Sequence, residues 1–422
     1  MNYVLFIVYL LVFCWLLTRS RFFTGSGLSK KMIAGLFTVK VLAGCFNGWL
    51  AKRAGGSDTI GFNTNSLEEY QLLFSNPVLF FKSIFMSNYG SHYGGLFDSH
   101  QSYWNELPTN LLLKFLGICD IFSRGDYNIN TIFYNGIIFT GLLALYRAFS
   151  INFKEQHGLL VIGCFLLPST LFFGSVIHKD GIILAAIGVL VYNLSVVLEQ
   201  RKSERYRILY VLLAFFTLFL FRPYVLLAIL PGALAWMLVV VTRLNSWLVF
   251  SGVYLTGLIL FFTAPHLSTK LQLPQYILQK QADFKSLPQA ATSIELNDLQ
   301  PDIGSFAANL PQAINHSFLR PFYTDLALSR SLLPLIVELT LYQLLLVLVI
   351  FFRKPGKAEL LKQPLIQFGL YTGTLLFILI GYTVPVIGAI VRYRSIYLPF
   401  FIIPLLMLVD WEKLLRFVNL KK

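Results

Sequence analysis

The chain has 422 residues, of which 56% are hydrophobic and 13% charged, and it carries a formal net charge of +14. Apolar stretches recur that approach the roughly 20 residues a helix needs to cross about 30 Å of hydrocarbon, which argues against a soluble globular protein. They are too long and continuous for barrel strands, leaving helices as the spanning elements.

In chain order the expected spans are Tyr3–Thr18, Met32–Leu50, Thr131–Phe149, Gly158–Ile177, Gly181–Leu198, Ile208–Phe221, Tyr224–Val241, Trp247–Phe262, Leu333–Phe352, Leu365–Tyr382 and Ile396–Val409. The expected fold class is an all-α polytopic membrane protein of about 11 transmembrane helices, forming a single transmembrane domain over residues 1–422. The basic residues divide unevenly between the connections. One set holds Arg19, Arg21, Lys30 and Lys31, then Arg147 and Lys154, then Arg201, Lys202, Arg205 and Arg207. The same set continues with Arg243, with Arg353, Lys354, Lys357 and Lys362, and with the tail Lys413, Arg416, Lys421 and Lys422. These connections are short, so the positive-inside rule assigns them to the cytoplasm, with the N-terminus outside and the C-terminus inside. The basic excess is then a topology signal in a plasma membrane, the bacterial inner membrane, and no nucleic-acid partner is expected.

Two long outer loops remain, residues 51–130 and 263–332, longer than plain connectors. Leu67–Phe85 and Asn110–Phe122 in the first read as interfacial helices, apolar face down. In the second, Phe306–Phe322 has apolar residues spaced for one helical face. Cys14, Cys45, Cys119 and Cys164 are scattered and have no metal-ligand spacing.

The candidate site comes from charges at the outer ends of spans. Asp58 follows the second span, His178-Lys179-Asp180-Gly181 joins the fourth and fifth, Arg222-Pro223 joins the next two, and Arg392-Tyr393-Arg394 precedes the last. Arg222 interrupts an otherwise uncharged run from Ile208 to Val241. An ionisable group in such a setting is a functional-site hypothesis by default. Ile208–Phe221 and Ile396–Val409 each offer 14 residues, about 21 Å of helix, which puts Arg222 and Arg394 below the outer surface. Arginines at that depth suit a lipid-linked phosphate, whose oxygens match the guanidinium fork. The rival readings are a turn at Asp58, a polar hairpin tip at His178–Gly181, an interhelix turn at Arg222-Pro223 and snorkelling anchors at Arg392 and Arg394. Lys40 and Glu338 lie inside spans, as a buried pair or hydrogen-bonded groups, or as coupling sites of a transporter.

These residues resemble the GT-C superfamily of membrane glycosyltransferases, which use polyprenyl-phosphate sugars, and in particular bacterial enzymes of the dolichyl-phosphate-mannose-protein mannosyltransferase type. The likeness rests on Asp58 opening a long outer loop and on Pro168-Ser169-Thr170 followed by His178-Lys179-Asp180. Arg222-Pro223-Tyr224 and Arg392-Tyr393-Arg394 with Pro399 complete it. It implies a glycosyltransferase with Asp58 as general base and Lys179, Arg222, Arg392 and Arg394 on the donor phosphate. The implied partners are a lipid-linked sugar donor, a glycan, lipid or protein acceptor, and membrane lipids. Family members often carry adjacent acids or an Asp-x-Asp, which this chain lacks near Asp58. A divalent cation therefore stays an open cofactor, with Asp180, His178, Glu68, Glu69, Asp98 and Glu106 as candidate second acids or supports. The alternatives are an O-antigen-type glycan polymerase or ligase, which needs the arginines and no acidic base, and a transporter or lipid-linked sugar flippase.

Overall fold

A computed structural model describes residues 2–88, 93–96, 102–153, 155–201, 204–268 and 271–419. The principal helices in chain order are α1 (Tyr3–Arg19), α2 (Lys30–Arg53), α3 (Asp58–Ser75), α4 (Tyr103–Ser123), α5 (Tyr127–Asn152), α6 (Pro168–Gly174), α7 (Lys179–Leu194) and α8 (Arg205–Phe221). They continue with α9 (Pro223–Thr242), α10 (Ser246–Leu267), α11 (Leu273–Lys285), α12 (Ile303–Ile314), α13 (Leu333–Phe351), α14 (Pro364–Thr383), α15 (Ile387–Arg394) and α16 (Leu398–Leu408). Among the described residues there is no sheet, only two isolated bridges.

Among the described residues seven helices are long and apolar enough to cross a membrane, α2, α5, α7 continued to Glu199, α9, α10, α13 and α14, and the protein is a multi-pass helical membrane protein. Two bent pairs, His157–Leu166 with α6 (47°) and α15 with α16 (65°), bring the number up to nine if each is counted as one broken span. The eleven expected spans are reached only by adding α1 and α8, each 17 residues long. Two expectations about helix extents change. Helix α8 starts at Arg205 rather than Ile208, so it measures about 25 Å, close to the hydrocarbon thickness. The last run is bent, and Arg392 and Arg394 belong to the final turn of α15 instead of a linker before a span.

The chain forms two compact units. The first comprises Met1–Lys154 and Cys164–Tyr224. Its centre is α5, whose residues Ile132, Phe139, Leu143 and Phe149 are fully buried. Helix α7 lies against it through Gly181, Ala185 and Gly188, one helical face of small residues. A Cβ on Gly188 would stand 2.1 Å from the Gly141 carbonyl oxygen, and one on Gly141 2.2 Å from the Ala185 Cα. The two backbones approach this closely because small residues occupy the contact. The first long loop folds into α3 and α4, with Pro77 starting a short separate helix at the point where it breaks the apolar run Leu67–Phe85. Between α3, α4 and α5 the buried Asp120 carboxylate accepts hydrogen bonds from Ser66 (2.7 Å), Ser123 (3.0 Å) and Asn130 (2.7 Å). A buried carboxylate is tolerable when satisfied in this way.

The second unit comprises Glu155–Gly163 and Val225–Lys422. Here α14 is the buried centre. The second long loop supplies α11 and α12, and Phe306 of α12 packs among the rings of Phe261, Phe262 and Tyr382. Gln281 of α11 donates to the Tyr382 carbonyl at 2.8 Å and to that of Asn297 at 3.0 Å, tying the loop to the bundle.

Candidate functional site

Within the first unit, three sequence-separated segments meet at one end of the bundle. After α6, His178 is extended (φ −159°, ψ 159°) and caps α7, so Lys179 and Asp180 fall in that helix's first turn. The unsatisfied amides and dipole of a helix start favour an anion there. Asp180 is that anion, and its side chain is 2% exposed. One carboxylate oxygen accepts from Arg222 Nη2 at 2.5 Å, and the other lies 2.9 Å from His178 Nδ1. Arg222 terminates α8, and Pro223 opens α9 where its missing N–H is no loss. The second arm of the guanidinium, Nη1, donates to the Tyr224 hydroxyl at 2.5 Å. Tyr134 of α5 donates its hydroxyl to the His178 carbonyl at 2.5 Å, and the Phe62 ring stands 5.6 Å from the imidazole.

Asp58 reaches the same place from α3. Gly55 (φ 88°) and Gly56 (φ 118°) turn the chain through conformations that other residues resist, and Asp58 is then the first residue of α3. Its carboxylate is 66% exposed, with one oxygen 3.7 Å from His178 Nε2. Lys179 is half-buried within the electrostatic reach of Arg222, Asp180 and Asp58. Its ammonium makes no hydrogen bond or ion pair among the described residues. The result is a graded row: exposed Asp58, then His178, then buried Asp180 fixed by Arg222, with an ammonium beside it. Such a row offers a carboxylate able to take a proton and a cation able to hold an anion.

Of the remaining candidates, Arg392 and Arg394 lie in the second unit. Arg392 is half-buried, with its guanidinium 5.0 Å from the Tyr393 ring. Arg394 is 4% exposed, and its Nη1 donates to the carbonyls of Ser317 (3.1 Å) and Arg320 (2.6 Å). Glu338 and Tyr342 of α13 are hydrogen-bonded to each other and act electrostatically on Arg394. Glu69 pairs with Lys114 at 2.7 Å, and Glu106 accepts from Asn88 at 2.8 Å. Glu68 is exposed on α3, and Asp98 lies outside the described residues. Lys40 is buried and donates to the Gly174 carbonyl (2.8 Å) and the Ser175 hydroxyl (3.1 Å). It thus meets the carbonyl end of α6, where a cation is favoured.

A groove of 460 Å³ also opens in the first unit, lined by Lys52, Tyr127, Asn128 and the α3 face Ile60, Asn63, Thr64 and Leu67. At about 100° per residue, that face is roughly opposite the side of α3 bearing Asp58 and Phe62. The groove is therefore separate from the Asp58 row. Among the described residues, no three or more His, Cys, Asp or Glu side chains gather to hold a metal ion.

The sequence reading missed Tyr134, which fixes the His178 backbone. A signal was present: Tyr127, Asn130, Thr131, Tyr134 and Asn135 form a polar stripe at helical spacing inside an apolar span, and all five are buried. Compared with known protein families, with curated proteins and with solved structures, the chain matches none.

Proposed function

We propose that the protein is a glycosyltransferase that moves a sugar from a polyprenyl-phosphate donor to an acceptor hydroxyl at the outer face of the plasma membrane. The observation that carries the reading is the juxtaposition of an exposed carboxylate, Asp58, with the Lys179 ammonium, which has no carboxylate partner among the described residues. In the proposed step Asp58 accepts the proton of the acceptor hydroxyl. The oxygen forms a bond to the anomeric carbon as the bond from that carbon to the phosphate oxygen breaks. The electron pair stays on the departing phosphate, whose growing charge meets Lys179 and the Arg222 guanidinium. One base and one in-line attack invert the anomeric centre. Short basic connections support placing this end of the bundle outside.

The test is transfer of labelled sugar from a polyprenyl-phosphate hexose to an acceptor by the purified protein in lipid vesicles. Asp58→Asn and Lys179→Ala are expected to abolish transfer while inserting normally, and full activity of both removes the proposal. Loss in Lys179→Ala and Arg222→Ala with retention in Asp58→Asn assigns the protein instead to the polymerase or ligase class. Movement of label across the bilayer without a new glycosidic bond assigns it to lipid-linked sugar transport.

A further inference from the structure

His178 takes no part in the transfer step, yet its backbone and both ring nitrogens are constrained. Its carbonyl is held by Tyr134, its ring faces Phe62, and its two nitrogens point at two carboxylates. A carboxylate can only accept, and at 2.9 Å an unprotonated Nδ1 would set its lone pair against the Asp180 oxygen, so the ion-pair contact favours the ring proton on Nδ1. The Asp180 amide approaches the same nitrogen at 3.4 Å, which is longer and neutral. The shorter contact with an ionised carboxylate outweighs the longer one with a neutral amide. Asp180 is itself anchored by Arg222 and nearly inaccessible, so it is not free to turn away. With Nδ1 protonated, the lone pair of Nε2 faces Asp58.

We propose that His178 is a proton relay for Asp58, locked by Asp180 in the tautomer whose Nε2 receives the proton that Asp58 takes from the acceptor. The inference rests on the transferase reading for its role and on geometry alone for the tautomer. The steps balance. The acceptor O–H proton moves to Asp58, the new C–O bond forms, and the phosphate leaves with its electron pair. The proton then passes from Asp58 to Nε2, restoring the Asp58 carboxylate and leaving an imidazolium between two carboxylates. The charged and titratable groups around that imidazolium are Asp58 from α3, Lys179 and Asp180 from α7, Arg222 from the α8–α9 tip and Tyr134 from α5. A resting separation of 3.7 Å is long for proton transfer, as unliganded sites often are, and must close in the working complex. His178 is a positioning and relay residue, since it does not touch the substrate.

Two measurements test this. The first needs no substrate: ¹⁵N-histidine NMR of the protein in lipid nanodiscs, with the His178 signal assigned by its loss in His178→Asn. The expected neutral form carries its proton on Nδ1, and Asp58→Asn is expected to move the Nε2 resonance, because the carboxylate facing Nε2 is removed. A proton on Nε2, or an Nε2 resonance unmoved in Asp58→Asn, overturns the relay whatever the protein transfers. The second is the kinetics of His178→Asn, which keeps a donor for Asp180 and a good helix cap but has no base. The expected result is a roughly 100-fold lower kcat with little change in acceptor KM and a displaced acidic limb of the pH profile. Wild-type kinetics in His178→Asn, with Asp58→Asn inactive, leave the transferase reading standing and remove the relay. Absence of transfer by the wild type removes the transferase reading, and with it the relay's role, while the NMR result still decides the tautomer.

Discussion

Arg222 donates through Nη2 to the Asp180 carboxylate at 2.5 Å, so the tip between α8 and α9 is fastened to the first turn of α7 across 42 residues of sequence. Both side chains are largely removed from water. Breaking such a pair by deleting one partner leaves a buried charge uncompensated, at a cost of about 3–5 kcal/mol. Arg222→Ala and Asp180→Ala are each expected to lower the thermal midpoint of the detergent-solubilised protein sharply. The double variant Arg222→Met/Asp180→Leu is expected to recover more than half of the loss. Single variants that melt with the wild type would show the pair to be energetically idle.

Asp58 stands in contrast. Its carboxylate is mostly in water, so Asp58→Asn is expected to change stability by no more than about 0.5 kcal/mol. Transfer activity is expected to fall by at least about 100-fold. Parallel melting curves and transfer assays check both, and a variant that loses activity only because it unfolds would not count in favour.

Lys40 separates structural from transport roles for a buried cation. Its bonds to the Gly174 carbonyl and the Ser175 hydroxyl leave two acceptors unsatisfied in Lys40→Met, costing about 1–3 kcal/mol. Activity per folded molecule is expected to be unchanged. A stable Lys40→Met protein that has lost function would instead point to a coupling site.

His316 makes stability depend on pH. It is buried in the turn after α12, its Nδ1 has no hydrogen-bond partner, and burial and then the Arg320 charge push its imidazole down to about 4, against the pull of Asp325. Between the unfolded value of about 6.5 and that lower value, the unfolded chain binds the extra proton and the native chain does not. The stability contribution is therefore complete above about 6.5 and is lost progressively as the pH falls toward 4. Thermal midpoints from pH 7.5 to 4.5 should decline less steeply in His316→Gln than in wild type. Identical slopes would assign the decline to other groups.

The helical class and the positions of the helices were legible in the apolar runs, because charge is costly in hydrocarbon and stands out against it. The same contrast picked out Asp58, His178, Lys179, Asp180 and Arg222, and the structure brings these five together in one unit. Their pairing was not legible, since a contact across 42 residues is set by how α7 and α8 pack and not by local spacing. Helix extents were less legible for a related reason. Run length ignores basic residues that continue a helix, as Arg205 and Arg207 do in α8, and it cannot see the 65° bend between α15 and α16. That bend leaves Arg394 buried against the carbonyls of Ser317 and Arg320, which no outward-facing pattern in the sequence announced.

The glycine contact between α5 and α7 gives residues in the middle of the bundle authority over its end. Gly188 lies seven residues along α7 from Gly181, about 10 Å by helical rise. A Cβ on Gly181 would fall 2.1 Å from the Tyr134 hydroxyl that holds His178. A methyl group at Gly141 or Gly188 must force two backbones apart, and α7 carries Lys179 and Asp180 with it as a lever carries its tip. Displacements of about 1 Å at reacting groups can cost 100-fold in rate. Positions 141, 185 and 188 are thus places where a conservative change, remote from every charged group in the row, would act on the row as a whole.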